Sequence, residues 1–249
     1  MNEDRLELVK AHERLDDLHR AGLFIIQDKS MFCFGQDAVL LSSFAVVKKG
    51  ESALDLGSGT GIIPILLAGK TAGDFFHGLE IQPDSVEMSR RSVLFNDLTE
   101  RIKITEGDIK NADKLYPLAS FDVITSNPPY ITNTGGLKNS DIRKTIARHE
   151  VLCSLEDVTH AAAKLLRPGG RFYMVHRPHR LTDIMCSLRA NRLEPKTLRF
   201  VHPHAGDEPE MVLAEAIRGT KPMLKVLPPL IIMESDGSYT RETFGIYYE

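Results

Sequence analysis

Between residues 52 and 216, short apolar runs that read as strands alternate with stretches whose apolar residues recur at helical spacing, and few folds accommodate that order. The strand-like runs cover residues 53–56, 75–81, 102–106, 121–126, 171–176, 197–201 and 210–216, while residues 64–68, 85–98, 155–166 and 180–190 read as helices. A strand followed by a helix re-enters its sheet in parallel. The expectation is therefore an α/β domain on a mainly parallel, seven-stranded sheet with helices on both faces. Leu166-Arg167-Pro168-Gly169-Gly170 carries helix-stop signals and leads directly into the strand at Arg171. Residues 230–234 and 239–248 flank Ser235-Asp236-Gly237-Ser238, whose Asp-Gly pair suits a tight turn and predicts a C-terminal hairpin. The expected organisation is an N-terminal segment over 1–45, a central domain over 46–220 and a hairpin extension over 221–249.

The 249 residues suffice to bury a core, and 42% hydrophobic with 26% charged content argues against disordered, collagen-like or coiled-coil chains. The longest apolar stretches, 62–69 and 226–233, fall far short of the roughly 20 residues of a membrane span. Residues 1–17 carry charges of both signs and no apolar h-region, so a cytoplasmic protein is expected. Cys33, Cys153 and Cys186 are odd in number and widely spaced, which fits neither a disulfide framework nor a zinc site. His176, His179, His202 and His204 lack metal-ligand spacing, and no metal is expected. Charge is unevenly placed: residues 50–130 hold twelve acids against seven bases, and residues 161–225 hold twelve bases against six acids. A basic face of that kind suits a polyanionic substrate, although an ordinary solvated surface reads equally well.

Leu54-Asp55-Leu56-Gly57-Ser58-Gly59-Thr60-Gly61 joins the first of these strands to a helix. Glycines there let the backbone turn sharply and a ligand approach closely. The spacing G-x-G-x-G with an acid two residues ahead differs from the G-x-G-x-x-G that seats a pyrophosphate, and the carboxylate of Asp55 repels phosphate; an ammonium or an ordered water suits it better. Glu80 closes the second strand, where an acid can accept hydrogen bonds from both ribose hydroxyls, and Asp108 follows the third strand, placed for an adenine amino group. Three acids at successive strand ends converge on one crevice. Over residues 50–217 this pattern resembles the Rossmann-like Class I methyltransferases. The resemblance implies S-adenosyl-L-methionine as cofactor, with Asp55, Gly57, Ser58, Gly59, Gly61, Glu80, Ile81, Asp108, Ile109 and Asn127 around it.

Asn127-Pro128-Pro129-Tyr130 follows the fourth strand and opens onto the same crevice. The two prolines fix two φ angles, push Asn127 into an extended conformation and hold their carbonyls in place. An exocyclic amine or an amide is a poor nucleophile because its lone pair is delocalised. The Asn127 side-chain oxygen and the Pro128 carbonyl can each accept one N–H, favouring the tetrahedral nitrogen that develops during methyl transfer. Tyr130 can stack on the target ring. Asn127, Pro128 and Tyr130 are the expected catalytic set. The tetrapeptide is similar to the [DNS]-P-P-[YFW] signature of amino-methyltransferases, which covers DNA adenine, RNA adenine and guanine, and protein glutamine enzymes.

Phe32-Cys33-Phe34-Gly35-Gln36-Asp37-Ala38-Val39-Leu40-Leu41 is an aromatic-flanked glycine turn running into an apolar helix. It is read either as a segment closing over the methionine end of the cofactor, with Gln36 and Asp37 at the site, or as a plain first core helix. Its Gly-x-Asp-x-x-Leu-Leu pattern resembles the tRNA (adenine-6-amino) methyltransferases that act on valine tRNA, as does the string Ala147-Arg148-His149-Glu150. That resemblance implies an RNA substrate, a tRNA modified near its anticodon, with Lys138, Arg143, Lys144 and Arg148 following phosphates. No membrane or obligate protein partner is expected. Release-factor glutamine methyltransferases share the tetrapeptide but usually continue to a Glu-Pro pair and carry a longer N-terminal helical domain; they, or another nucleic-acid amino-methyltransferase, remain the alternative.

Overall fold

The computed structural model describes residues 3–31, 33–128 and 153–248. Along the chain run α1 (Glu3–Leu6), β1 (Glu13–Asp17), β2 (Phe24–Asp28), α2 (Gln36–Phe44), β3 (Ser52–Leu56), α3 (Ile62–Lys70), β4 (Phe75–Glu80), α4 (Pro83–Phe95) and β5 (Ile102–Glu106). A 3-10 turn, Ile109–Asn111, then leads into α5 (Ala112–Leu115) and β6 (Phe121–Ser126). The last part holds α6 (Leu155–Leu165), β7 (Leu166–His176), α7 (Leu181–Ala190), β8 (Leu193–His202), β9 (Met211–Arg218), β10 (Lys225–Val226), β11 (Leu230–Ile231) and α8 (Arg241–Tyr248).

All seven expected strands form, in the order β8-β9-β7-β6-β3-β4-β5. Strands β5, β4, β3, β6 and β7 pair in parallel, and β9 runs antiparallel to both β7 and β8. The short connection from β8 to β9 contains no helix to cross over, so the chain returns antiparallel. From β3 the chain builds outward to β4 and β5, then jumps back to β6 on the other side. That reversal opens a crevice beyond the C-terminal ends of β3 and β6.

Both faces of the sheet are covered, as its near-continuous apolar strands require. Ala53, Phe76, Val123, Tyr173 and Val175 face α2 and α3 in one core cluster, while Leu54, Leu56, Leu79, Ile124, Phe172 and Met174 join α6 and α7 in the other. Helix α6 starts at a capping box: the Ser154 side chain accepts from Asp157 N, and the Asp157 carboxylate accepts from Ser154 N.

Three expectations need correction. The sheet has nine strands, because β10 and β11 each add a two-residue parallel pairing to β8. The C-terminal hairpin does not form. Its turn exists, with Glu234 N donating to Ser238 O at 2.8 Å and one bridge between Met233 and Tyr239, but the second arm coils into α8. Phe244, Tyr247 and Tyr248 recur at helical spacing, and Thr240 Oγ1 accepts from Thr243 N at the helix start. Last, β7 begins at Leu166, so the Pro168-Gly169-Gly170 run lies within an irregular strand: register shifts between Phe121 and Val123 of β6, and Gly169 takes a φ of 78°.

Sequence patterning also missed the antiparallel β1–β2 hairpin. Its strands are held by α4: Ile26 N donates to Ser92 Oγ (3.0 Å), Phe24 and Asn96 exchange two hydrogen bonds (2.9 and 2.7 Å), and Arg91 clasps Glu13 with two bonds of 2.6 Å.

Candidate active site

The glycine loop is pinned to the neighbouring strand. Gly57 N and Ser58 N both donate to Leu79 O, at 2.9 and 3.0 Å, and Gly61 N donates to Ser58 O at 2.9 Å. Gly57, Gly59 and Gly61 adopt φ of 76°, 53° and 82°, the left-handed region. At Gly59 an added Cβ would meet nothing within 4 Å, and at Gly57 only the Ile109 Cδ1 at 3.8 Å. The backbone of the loop thus presents an open face to the crevice.

Glu80 is buried and held by two backbone donors, Gly59 N to Oε2 and Gln82 N to Oε1, both at 2.9 Å. Each carboxylate oxygen keeps a further lone pair for a ligand hydroxyl. Ile81, beside it, is 42% exposed although apolar. At the end of β5, Asp108 accepts from Lys110 N at 2.9 Å, which fixes its carboxylate at the mouth of the 3-10 turn, next to half-buried Ile109.

Asp55 is fully enclosed. Thr125 Oγ1 donates to its Oδ1 at 2.6 Å, and its Oδ2 has no partner among the described residues. Burial, opposed by the Thr125 bond and reinforced by Glu80, pushes its carboxyl up to about 8. The folded chain therefore holds a proton that the unfolded chain releases above the ordinary carboxylate range. Stability contributed by this site is complete at low pH and falls as pH rises toward 8. Asp55→Asn is expected to flatten that slope, which amounts to on the order of 1 kcal/mol per pH unit between about 4 and 8. Denaturant unfolding of both proteins across this range measures it; equal slopes would refute the shift.

Asn127 follows β6 immediately. Its Oδ1 is buried and unpartnered among the described residues, and Pro128 behind it is buried. Thr125 and Ser126, which sequence reasoning passed over, anchor this end: Ser126 Oγ donates to Leu56 O at 2.9 Å while Thr125 holds Asp55. Two hydroxyl residues directly after the buried pair Val123-Ile124 were the available signal. Tyr130, Lys138, Arg143, Lys144, Arg148 and His149 lie outside the described residues.

Gln36 and Asp37 open α2. Asp37 Oδ1 accepts from Ala38 N at 2.9 Å, and α2 packs against the C-terminal helix α8, with Gln36 near Tyr247. The residues after Gly35 form a core helix, with Ala38 to Ser42 buried. His176 is buried and accepts from Arg177 N at 2.8 Å through Nδ1, and burial drives it down to about 4, a neutral imidazole. Among the described residues no three metal-ligating side chains gather, no helix is long and apolar enough to cross a membrane, and the cysteines are free.

The charge asymmetry of the sequence is in good part internal. Lys164 pairs with Asp113 (2.8 Å), Arg167 with Asp122 (2.7 Å) and Arg171 with Glu51, each joining the basic segment to the acidic one. Arg189 and Arg199 pair with Glu194 and Glu242. Such pairs orient neighbouring elements more than they stabilise them.

Residues 47–216 match the family model described as a methyltransferase domain. A curated relative, the tRNA1(Val) (adenine(37)-N6)-methyltransferase of Porphyromonas gingivalis, is 33% identical over 187 residues, covering 73% of this chain and 72% of the relative. A protein of the same name from Aeromonas hydrophila is 27% identical over 214 residues, 86% of this chain and 87% of its own. Among solved structures, one described as a predicted O-methyltransferase from Agrobacterium tumefaciens superposes with a TM-score of 0.70 at 24% identity, covering 85% of this chain and 95% of the other; it shows the Class I fold.

Proposed function

We propose that this chain, which belongs to the tRNA1(Val) (adenine(37)-N6)-methyltransferase family of S-adenosylmethionine-dependent N-methyltransferases, methylates the exocyclic 6-amino group of an adenine in tRNA near the anticodon. The observation that carries this reading is the buried Oδ1 of Asn127, without a partner among the described residues, beside a proline-fixed carbonyl and one strand from the glycine loop. A buried acceptor without a donor is costly and marks a place where a ligand N–H belongs.

The residues present fit the cofactor. The open backbone at Gly57 and Gly59 admits it without a side chain in the way, Glu80 offers lone pairs to ribose hydroxyls, and Asp108 with Ile81 and Ile109 borders the adenine position. Asp55, buried with one oxygen that has no partner among the described residues, suits a bound water, or an ammonium once its proton is given up. When bound, S-adenosylmethionine supplies an electrophilic methyl on a positively charged sulfur. Asn127 Oδ1 and the Pro128 carbonyl then take one N–H each from the target amine. Both acceptors gain strength as that nitrogen becomes tetrahedral and positive, so they stabilise the transition state more than the ground state. No strong base is required beforehand, because the product ammonium is acidic and passes its proton to water. Tyr130 stacks on the target base in this reading, which requires the base to leave its stack.

The test is nucleoside mass spectrometry of tRNA from a strain lacking the gene. Loss of 6-methyladenosine, restored by the wild-type gene, is expected; an unchanged level would exclude this substrate.

A further inference from the structure

Asp55 is 2% exposed, and little in the fold supports a charge there. Thr125 Oγ1 donates to its Oδ1 at 2.6 Å, and its Oδ2 has no partner among the described residues. A carboxylate enclosed in this way needs a cation or several donors. Strand β3 places Asp55 on the face of Ala53, the side covered by α2 and α3. The charged group that bears on it from β4 is another acid, Glu80, while His77 turns to the opposite face against Tyr116 and Phe121. On β6, Thr125 and Ser126 are neutral, and Asp122 at the far end is taken by Ser52 N and Arg167. Helix α2 adds Asp37, again an acid. The one charged residue of α3, Lys70, lies at its far end, about 13 Å along the axis. Gly57 to Gly61 carry no charge.

Enclosure by neutral and acidic neighbours keeps Asp55 protonated near neutral pH: burial, opposed by the Thr125 bond and reinforced by Glu80, pushes its carboxyl up to about 8. Since Oδ1 accepts from Thr125, the proton belongs on Oδ2. With an ammonium at Oδ2, Asp55 gains the missing cation. Its O–H bond breaks, the proton passes to solvent, and the carboxylate oxygen accepts an N–H. We infer that, with the ammonium placed at Asp55 as in the reading above, binding of the cofactor expels the Asp55 proton and cofactor affinity thereby depends on pH.

Calorimetric titration with S-adenosylhomocysteine, which keeps the amino-acid end and has no methyl to transfer, measures this. Runs at about pH 6.5, where an α-ammonium stays charged, in buffers of different ionisation heat count the protons released. Wild type is expected to release about one proton per ligand, and its affinity to rise about tenfold per pH unit between about pH 6 and 7.5. Asp55→Asn should release none and lose the slope. Methylthioadenosine, which keeps the nucleoside and lacks the amino-acid end, should release none from wild type, an arm that needs no variant to fold. Wild type that binds S-adenosylhomocysteine without releasing a proton, or equal release by Asp55→Asn, would overturn the inference. In that event, weaker binding of S-adenosylhomocysteine but not of methylthioadenosine by Asp55→Asn leaves the ammonium at Asp55 with only the proton wrong, and weakening of neither removes the ammonium from Asp55 as well. RNA takes no part in these titrations, so their outcome is independent of which base is methylated.

Discussion

Replacing Asn127 with alanine is expected to lower turnover by about two to three orders of magnitude while leaving S-adenosylmethionine affinity within about twofold. The size follows from what the side chain does: removing one preorganised group aimed at developing charge typically costs that much in a buried site. The selectivity follows from where it sits, at the end of β6 on the substrate side, whereas the glycine loop and Glu80 are held by bonds in which Asn127 takes no part. Truncation also removes a buried acceptor that has no donor among the described residues, so the variant should be no less stable than wild type. Stopped-flow turnover, cofactor titration and thermal unfolding together distinguish this from general damage. A variant that loses cofactor affinity and turnover equally would place Asn127 in binding alone.

Gly61→Val is expected to destabilise the fold by about 2–5 kcal/mol, a drop of roughly 5–15 °C in melting temperature for a chain of this size. Two causes add. Gly61 has a φ of 82°, which a β-branched residue scarcely adopts. A Cβ there would also lie 2.1 Å from Ser89 Oγ and 3.2 Å from Ser89 Cβ, so α3 and α4 would have to separate. Ser89 Oγ can rotate, but its Cβ cannot. Combining Gly61→Val with Ser89→Gly should therefore restore the part due to crowding and leave the part due to backbone strain. Calorimetry of the double-mutant cycle measures the split; additive losses would mean that the two helices do not meet through these residues.

Both predictions act at positions that the sequence marked, and the reason is physical. Glycines that must turn with positive φ and prolines that fix φ constrain the backbone locally, so Gly57 to Gly61 and Asn127 to Pro128 were legible without knowledge of their neighbours. The apolar runs of β3, β4, β6 and β7 were equally plain, since each contributes to the cores on both faces of the sheet, while β5, buried on one face, shows the alternation of Ile102 and Ile104. Features that depend on distant partners were not. Strand β1, Glu-Arg-Leu-Asp-Asp, has no strand-like pattern and exists because β2 pairs with it and Arg91 holds Glu13. The C-terminal aromatic run satisfies helical and strand spacing alike over so short a span, and packing of Ile246 and Tyr247 against the first core cluster selects the helix. Thr125 became part of the site only when parallel pairing of β3 with β6 set it against Asp55. The basic half of the chain, which suggested a face for a polyanion, spends Lys164, Arg167, Arg171 and Arg199 on ion pairs with acids elsewhere in the fold.

The central claim is that the acceptor pair of Asn127 and Pro128 serves the amino group of an RNA adenine. Incubation of the purified protein with methyl-labelled S-adenosylmethionine, bulk tRNA and a protein extract, followed by nucleoside and amino-acid analysis, tests it most directly. Label in 6-methyladenosine with wild type and its loss with Asn127→Ala is the predicted result. Label in glutamine side chains, or in a nucleoside other than 6-methyladenosine, would contradict it.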